Sequence, residues 1–131
     1  MNFFFCQSKG NLEHKISSNA FALLGSVLIL LRTQFNGRLL DTVGDQKDLE
    51  TIIAFVAQLD EYIGVSNTNM HLRLAVGKSA RVLVPHPADY RWMSKDQSPW
   101  FPNFEVYRQS IDGTWEEAFA SLTSDLRVLR G

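Results

Sequence analysis

The segment Glu61–Pro87, EYIGVSNTNMHLRLAVGKSARVLVPHP, constrains the fold of this chain more than any other stretch. The apolar run EYIGV leads into the small polar cluster Ser66–Asn69, which opens a short helical pattern. Gly77 follows that pattern at the position where a helix commonly ends, and the apolar run ARVLVP then ends at Pro85. Alternating helices and strands are typical of an α/β protein with parallel strands. The segment therefore predicts a strand, a helix and a second strand.

Elements on both sides of this segment extend the pattern. The preceding stretch DQKDLETIIAFVAQLD predicts a helix with Asp45 as its N-cap and an end near Asp60. After the loop HPADYRWMSKDQSPWFPN, the run FEVYRQ predicts a third strand. A turn at Asp112-Gly113 leads into the clearest helix, where Thr114 and Glu117 have the spacing of a capping box. The apolar faces consist of Leu49, Ile52, Ile53, Val56 and Leu59 in the first helix and Trp115, Phe119, Leu122, Leu126 and Leu129 in the last.

These elements predict an α/β fold class, a Rossmann-like partial domain with a short parallel sheet flanked by helices. The chain has 131 residues, the size of one domain, and the readable elements occupy residues 41–131. Only three strands are readable, which is few for a complete doubly wound sheet.

Residues 1–40 form the segment with the weakest pattern. Phe21, Leu24, Leu28 and Leu31 recur at helical spacing, although SVLILL would serve equally well as a buried strand. We favour a helix that packs on the sheet. The apolar stretch Ile16–Leu31 is interrupted by polar residues and is shorter than the roughly 20 residues of a spanning helix, so membrane contact is not expected.

Composition and charge exclude several classes of function. The net charge is −1 and no basic block is present, which argues against binding to nucleic acid. A metal site is not expected, because one cysteine and three histidines are scattered along the chain. Motifs of catalytic nucleophiles and the Walker phosphate loop are absent from the sequence, and no cofactor is expected. We expect a cytoplasmic protein.

The polar cluster after the first strand of the segment is the best candidate for a binding site. In open parallel sheets, ligands lie beyond the carboxyl ends of the strands, near helix N-termini that attract anions. Ser66, Asn67, Thr68 and Asn69 would lie there, and His71 could donate to a phosphate or a ribose hydroxyl. The alternative is that Ser66–Asn69 only cap a helix and that His71 is an ordinary surface residue.

The loop between the second and third strands is rich in aromatic side chains. Tyr90, Trp92, Trp100 and Phe101 could stack on a base or a sugar. Alternatively, the two tryptophans and Phe101 cover the sheet edge, an interpretation that we favour for Trp100 and Phe101. For Arg91, contact with a phosphate and simple surface exposure are equally compatible with the sequence.

Three blocks of residues resemble one family. They are DEYIGVSNTNMHLRLAVGKSARVLVP, then YRWM with SPWFP, then FEVYRQ with GTWEEAFASL. They are similar to the C-terminal end of GT-B-type glycosyltransferase-like proteins, in the group often fused to tetratricopeptide repeats and related to the ADP-heptose–lipopolysaccharide heptosyltransferases. The family pattern has an Asp-Thr-Gly-x-x-His turn in the first block, Trp-Arg-Trp and Ser-Pro-Trp-Tyr-Pro in the second, and an Arg-Gln strand before a Trp-capped helix in the third.

The resemblance implies that residues 45–130 form the donor-binding half of a two-domain fold, with a nucleotide-sugar donor as ligand. His71 matches the family's His, and Arg91-Trp92 matches its Arg-Trp pair. Ser66 replaces the family's Asp, while Asn67 and Thr68 replace its Thr and Gly, which puts heptose specificity in doubt. The acceptor half commonly supplies the catalytic base, and residues 1–40 do not match it, so no catalytic residue is assigned.

We therefore expect a nucleotide-sugar-binding half-domain, truncated or completed for transfer by a partner chain or a second copy. The alternative is a non-catalytic remnant or an interaction domain that keeps the fold and associates through an exposed sheet edge.

Overall fold

A computed structural model of the chain describes residues 3–6 and 48–130. Eight elements follow one another in these residues. They are β1 (Phe3–Cys6), α1 (Leu49–Gln58), β2 (Glu61–Val65), α2 (Thr68–Ala75), β3 (Arg81–Val84), a 3-10 turn (Tyr90–Trp92), β4 (Glu105–Arg108) and α3 (Glu116–Arg130). The three strands and three helices predicted between residues 41 and 131 are all present.

The four strands form one parallel sheet in the order β1-β2-β3-β4. Ile63 of β2 is in register with Arg81 of β3, and Val82 of β3 with Val106 of β4. This arrangement confirms the predicted fold class, a short parallel sheet in a Rossmann-like α/β domain. It also adds a strand that was not predicted, because β1 comes from the segment 1–40 and pairs with β2. The helix predicted in that segment lies outside the described residues.

Helices cover both faces of the sheet because successive strand residues point to opposite sides. Ile63 and Leu83 pack with buried residues of α3, whereas Tyr62 and Val82 pack with residues of α1, α2 and the loop after β3. Both sides of β2 and β3 are therefore apolar, which explains the nearly continuous hydrophobic runs of these strands. The buried residues of the α3 face are Ile63, Leu83, Tyr107, Trp115, Ala118, Phe119, Leu122 and Leu126.

The start of α1 differs from the prediction. The N-cap is Asp48 rather than Asp45, because the Asp48 carboxylate accepts from the backbone N–H groups of Glu50 at 3.3 Å and Thr51 at 3.2 Å. It also accepts from the Thr51 hydroxyl at 2.7 Å. These bonds satisfy N–H groups that lack intrahelical partners.

The end of α2 was predicted correctly. Gly77 adopts a φ of +74°, which is accessible to glycine at little cost. Its N–H donates to Leu74 O at 2.9 Å, and the N–H of Lys78 donates to Arg73 O at 3.1 Å. The two bonds form a Schellman motif, which ends the helix and turns the chain towards β3.

The start of α3 corrects a second prediction. The helix begins at Glu116, and the Thr114 hydroxyl donates to the Asp112 carboxylate at 3.0 Å instead of forming the predicted capping box with Glu117. Thr114 is part of the tight turn before the helix, in which Gly113 has a φ of +86° and the Ser110 N–H donates to Thr114 O at 3.0 Å. The predicted apolar face is buried except at its end, where Leu129 is 38% exposed.

A buried arginine joins α1 to α2. Arg73 is 2% exposed, and its guanidinium donates to the backbone carbonyls of Val56 at 2.5 Å, Leu59 at 2.9 Å, Asp60 at 3.1 Å and Ser79 at 2.8 Å. Three of these carbonyls lie at the C-terminal end of α1 or just after it, where helical carbonyls lack intrahelical donors. Burial lowers the pKa of Arg73 from its ordinary value. The side chain therefore has a structural role and was not recognised from the sequence.

A polar network holds α3 against the sheet near the amino ends of the strands. Arg81 Nη1 donates to the Tyr107 hydroxyl at 2.6 Å, and that hydroxyl donates to the Asp125 carboxylate at 2.8 Å. Arg81 also pairs with Glu61 at 3.3 Å. Burial, followed by the bond to Asp125, raises the pKa of Tyr107 above its ordinary value although Arg81 acts against the shift. The network lies at the end of the sheet opposite to the predicted binding site.

Candidate functional site

The predicted polar cluster lies at the carboxyl end of β2, where the chain enters α2. Asn67 is the N-cap of α2, and its side-chain oxygen accepts from the Asn69 N–H at 3.0 Å. The Ser66 hydroxyl accepts from the indole N–H of Trp92 at 2.7 Å. Asn67 thus caps the helix, which was one of the two roles that the sequence allowed for this cluster. Ser66 links the cluster to the loop after β3.

His71 and Arg91 meet beside the first turn of α2. Arg91 Nη1 and His71 Nε2 are 3.3 Å apart, although twenty positions separate the two residues in the chain. His71 also contacts the buried ring of Phe101 edge to face, at 4.9 Å between centroids. When Arg91 donates this bond, His71 Nε2 is unprotonated and the ring proton lies on Nδ1. Thr68, the first residue of α2, is exposed and precedes His71 by three positions.

Asp89 orients the guanidinium of Arg91. Its carboxylate accepts from Arg91 Nε and Nη2, each at 3.2 Å, and from the Arg91 backbone N–H at 2.9 Å. These bonds raise the pKa of Arg91, the side-chain bond to Asp89 contributing most. Arg91 Cζ also lies 5.3 Å from the centroid of the Tyr90 ring. The guanidinium is therefore held in one orientation, with Nη1 next to His71.

The aromatic residues of the loop divide into a buried pair and an exposed pair. Trp92 and Phe101 are stacked, with centroids 4.7 Å apart and planes 8° apart, and both are buried. The prediction that Phe101 covers the sheet is confirmed. For Trp100 it is wrong, because Phe101 fills the place beside Trp92 and leaves its neighbour Trp100 57% exposed. Trp100 instead contacts the exposed ring of Tyr90.

Two residues that the sequence did not single out anchor this loop. The buried Ser98 hydroxyl donates to Arg91 O at 2.5 Å and accepts from the Trp100 N–H at 3.2 Å. Arg108 of β4 donates through Nη1 to Trp92 O at 2.5 Å and through Nη2 to Ser94 O. Both belong to the blocks that resemble the glycosyltransferase-like family, SPWFP and FEVYRQ, and this was the one signal in the sequence that could have identified them.

The carboxyl ends of β3 and β4 are linked by a side chain. The backbone N–H of His86 donates to Gln109 Oε1 at 2.9 Å, and Gln109 Nε2 donates to Gly113 O at 2.6 Å. Gln109 thus ties the loop after β3 to the turn before α3. The exposed His86 side chain lies at the same edge of the sheet as the polar cluster, one strand further along.

The described residues offer neither a metal site nor a membrane-spanning helix. Residues 3–6 and 48–130 contain no group of three or more His, Cys, Asp or Glu side chains that could hold a metal ion. Within the same ranges, no helix has the length and apolar character needed to cross a membrane. The apolar stretch Ile16–Leu31 lies outside them.

Comparisons of the chain with protein-family models, with curated proteins and with solved structures find no significant match. The resemblance to the glycosyltransferase-like group therefore stays a prediction made from its three sequence blocks.

Proposed function

We propose that this domain binds a nucleotide sugar, as the donor-binding half of a glycosyltransferase-like protein. The observation that carries the proposal is the contact of His71 with Arg91, 3.3 Å apart at the start of α2. It brings two nitrogen-rich side chains from separate elements to the carboxyl edge of a parallel sheet, where ligands of such sheets bind. Both residues also fall on positions that the family resemblance associates with the donor.

The diphosphate of the donor would lie against the first turn of α2. The N-terminal end of a helix carries partial positive charge and attracts anions. Arg91 Nη1 and the His71 ring would donate to phosphate oxygens, and charge-assisted bonds of this kind are the stronger class. Thr68 is exposed at the first helical position, and we assign its hydroxyl to the same ligand because of this position in the first turn. The Ser66 hydroxyl, which accepts from Trp92, has its own proton to donate.

Asn67 and Asn69 contribute mainly by shaping this turn. The oxygen of Asn67 is engaged by the Asn69 N–H, so Asn67 acts on the ligand through the conformation of the helix start. Because Asp89 offsets part of the charge of Arg91, we expect binding to depend on several donors together rather than on one strong cation.

Glycosyl transfer would require a further group. An acceptor hydroxyl must lose its proton near the anomeric carbon of the donor, which is the task of a general base. The resemblance implies that an acceptor domain or a partner chain supplies this base. The part proposed for this domain is to hold the donor and to stabilise the leaving diphosphate.

The alternative function, association through a sheet edge, receives less support from β4. This edge strand has four residues and carries Glu105 and Arg108. Short, charged edges discourage pairing with another chain. The contact of His71 with Arg91 groups two nitrogen-rich side chains that ligand binding would use and edge association would not, and we therefore prefer the ligand-binding proposal.

A thermal melt of the full chain with millimolar UDP, GDP, ADP and their sugar conjugates tests the proposal. A ligand at one hundred times its dissociation constant adds about 2.7 kcal/mol to the free energy of unfolding, which raises Tm by several degrees at this size. We expect such a shift with at least one nucleotide. We expect His71→Ala and Arg91→Ala each to weaken binding about 10-fold or more, since each removes a donor to a charged group.

Matched controls separate the site from general effects of substitution. His86→Ala removes an exposed histidine at the neighbouring strand end, and Arg127→Ala removes an exposed arginine of α3. Both should bind nucleotide as the wild type does, with Tm values without ligand close to those of the two site variants. A cooperative melt that responds to none of the nucleotides would instead favour the remnant or interaction domain.

A further inference from the structure

The exposed aromatic pair next to Arg91 has no role in the core. Trp100 is 57% exposed and Tyr90 66% exposed, whereas the other two tryptophans of the chain, Trp92 and Trp115, are buried. The Tyr90 and Trp100 rings are 5.9 Å apart and nearly perpendicular, at 85°. Two large rings thus form a corner at the surface.

This corner is held by a rigid backbone. The Trp100 N–H donates to the buried Ser98 hydroxyl, and the Phe101 N–H donates to Ser98 O at 3.2 Å. The side chain of the next residue, Phe101, is buried and stacks on Trp92. The backbone that carries Trp100 is therefore fixed before any ligand arrives, which lowers the entropy lost on binding.

The corner is continuous with the groups that would bind phosphate. Arg91 Cζ lies 5.3 Å from the Tyr90 centroid, and that centroid lies 5.9 Å from the Trp100 centroid. The guanidinium and the indole are thus separated by no more than these two distances combined, a span that a ribose and a diphosphate can cover. A ligand with a negative charge at one end and a flat ring at the other would match this surface.

We infer that Trp100 and Tyr90 form the subsite for the base of the nucleotide, an inference that rests on the proposed function. A planar base that stacks on one ring lies edge-on to the other, and stacked and edge-to-face geometries are the two that aromatic pairs favour. A sugar has no aromatic face, so it gains less from this corner than a base does. Stacking tolerates any base, and the subsite therefore contributes affinity rather than strict choice among bases.

Calorimetric titration of the full chain with ADP, GDP, UDP and inorganic pyrophosphate tests this assignment. We expect at least one nucleoside diphosphate to bind about 5- to 100-fold more tightly than pyrophosphate, the range for one stacked base. Trp100→Ala should remove the extra affinity for the nucleoside diphosphate and leave the affinity for pyrophosphate unchanged. Trp100→Phe should keep part of the extra affinity. Met93→Ala is the matched control, because Met93 is a 72% exposed apolar residue of the same loop.

Intrinsic fluorescence gives a second readout. Since Trp92 and Trp115 are buried, quenching by a nucleotide should come from Trp100 and be absent in Trp100→Phe. If pyrophosphate and nucleotides bind equally, the base subsite is overturned and the proposed anion site stands. If neither binds, the proposed function fails as well.

Three further outcomes would also overturn the assignment to the base. An equal loss of both affinities in Trp100→Ala would give Trp100 a purely structural role. If the titration is repeated with the sugar conjugates of these nucleotides, a gain in affinity that appears only with the conjugates would place the sugar on this corner. A change from dimer to monomer in Trp100→Ala, with nucleotide affinity unchanged, would make the corner a contact between two copies of the chain.

Discussion

Replacement of Arg73 by methionine should destabilise the domain strongly. Methionine keeps an unbranched apolar side chain and a good helix propensity, so the substitution tests the contribution of the guanidinium alone. Four backbone carbonyls lose a bond from the guanidinium, those of Val56, Leu59, Asp60 and Ser79. The Leu59 carbonyl keeps a bond from Lys78 Nζ at 3.0 Å, and the bonds to Asp60 and Ser79 lie in partly buried positions that water can reach.

The magnitude follows from these differences in burial. A buried carbonyl left without a donor lowers the free energy of unfolding by about 1–3 kcal/mol, and the carbonyl of Val56 is in this situation. The partly buried bonds add about 0.5–1.5 kcal/mol each, and the loss of a cation at the C-terminal end of α1 adds about 0.3–1 kcal/mol. We therefore expect a loss of about 2–7 kcal/mol in the free energy of unfolding. Arg73→Lys, which keeps the charge without the planar fork of donors, should lose roughly half as much.

Urea denaturation followed by circular dichroism measures this loss as a shift of the midpoint at constant m-value. Arg127→Met is the matched control, because Arg127 is an exposed arginine of α3 and surface substitutions usually change stability by less than about 0.5 kcal/mol. A loss below about 1 kcal/mol for Arg73→Met, with an unchanged m-value, would refute the assignment of a structural role to the guanidinium.

Two further predictions concern the opposite end of the sheet and the end of α2. The pKa of Tyr107 is raised in the folded state, so its contribution to stability is complete below the unfolded value of 10.0 and is lost as the pH rises above it. The free energy of unfolding should therefore fall less steeply between pH 10 and pH 11 in Tyr107→Phe than in the wild type. Tyr90→Phe, at an exposed tyrosine, is the control and should behave as the wild type does. Equal slopes of the free energy against pH in Tyr107→Phe and the wild type would contradict the role of the network. Gly77→Ala should cost about 1 kcal/mol in urea denaturation, because a Cβ at Gly77 would meet open space and the strain of its φ of +74° is the main effect. A substitution that leaves the midpoint unchanged would show that the Schellman turn tolerates a side chain.

Local patterns were sufficient for much of the fold. The strands β2, β3 and β4 could be predicted because each is a short run with β-branched or aromatic residues, bounded by turn residues. Gly77 marked the end of α2 for a similarly local reason, its access to positive φ. The exact first residue of a helix was harder to predict from the sequence. Asp45 and Asp48 are both good N-cap residues, and only the hydrogen bonds of the folded chain select Asp48.

The candidate site was only partly predictable. The polar cluster and His71 follow from their position after a strand, and the resemblance added Arg91. That His71 and Arg91 touch depends on how the loop after β3 folds back onto α2, which Ser98 and Arg108 determine through bonds to backbone carbonyls. Nothing in the spacing of the two residues indicates this contact.

The alternation of helices and strands, and hence the α/β class, can be derived from sequence patterns alone because it depends on neighbours within a few positions. Features that depend on partners distant in the chain arise only when the chain is packed. The strand β1 exists as part of the sheet through its pairing with β2, and Arg73 is buried because the end of α1 supplies its acceptors. Trp100 is exposed because Phe101 occupies the space beside Trp92. Burial is a property of the packed chain, and a residue's type alone does not specify which of two adjacent aromatic rings enters the core.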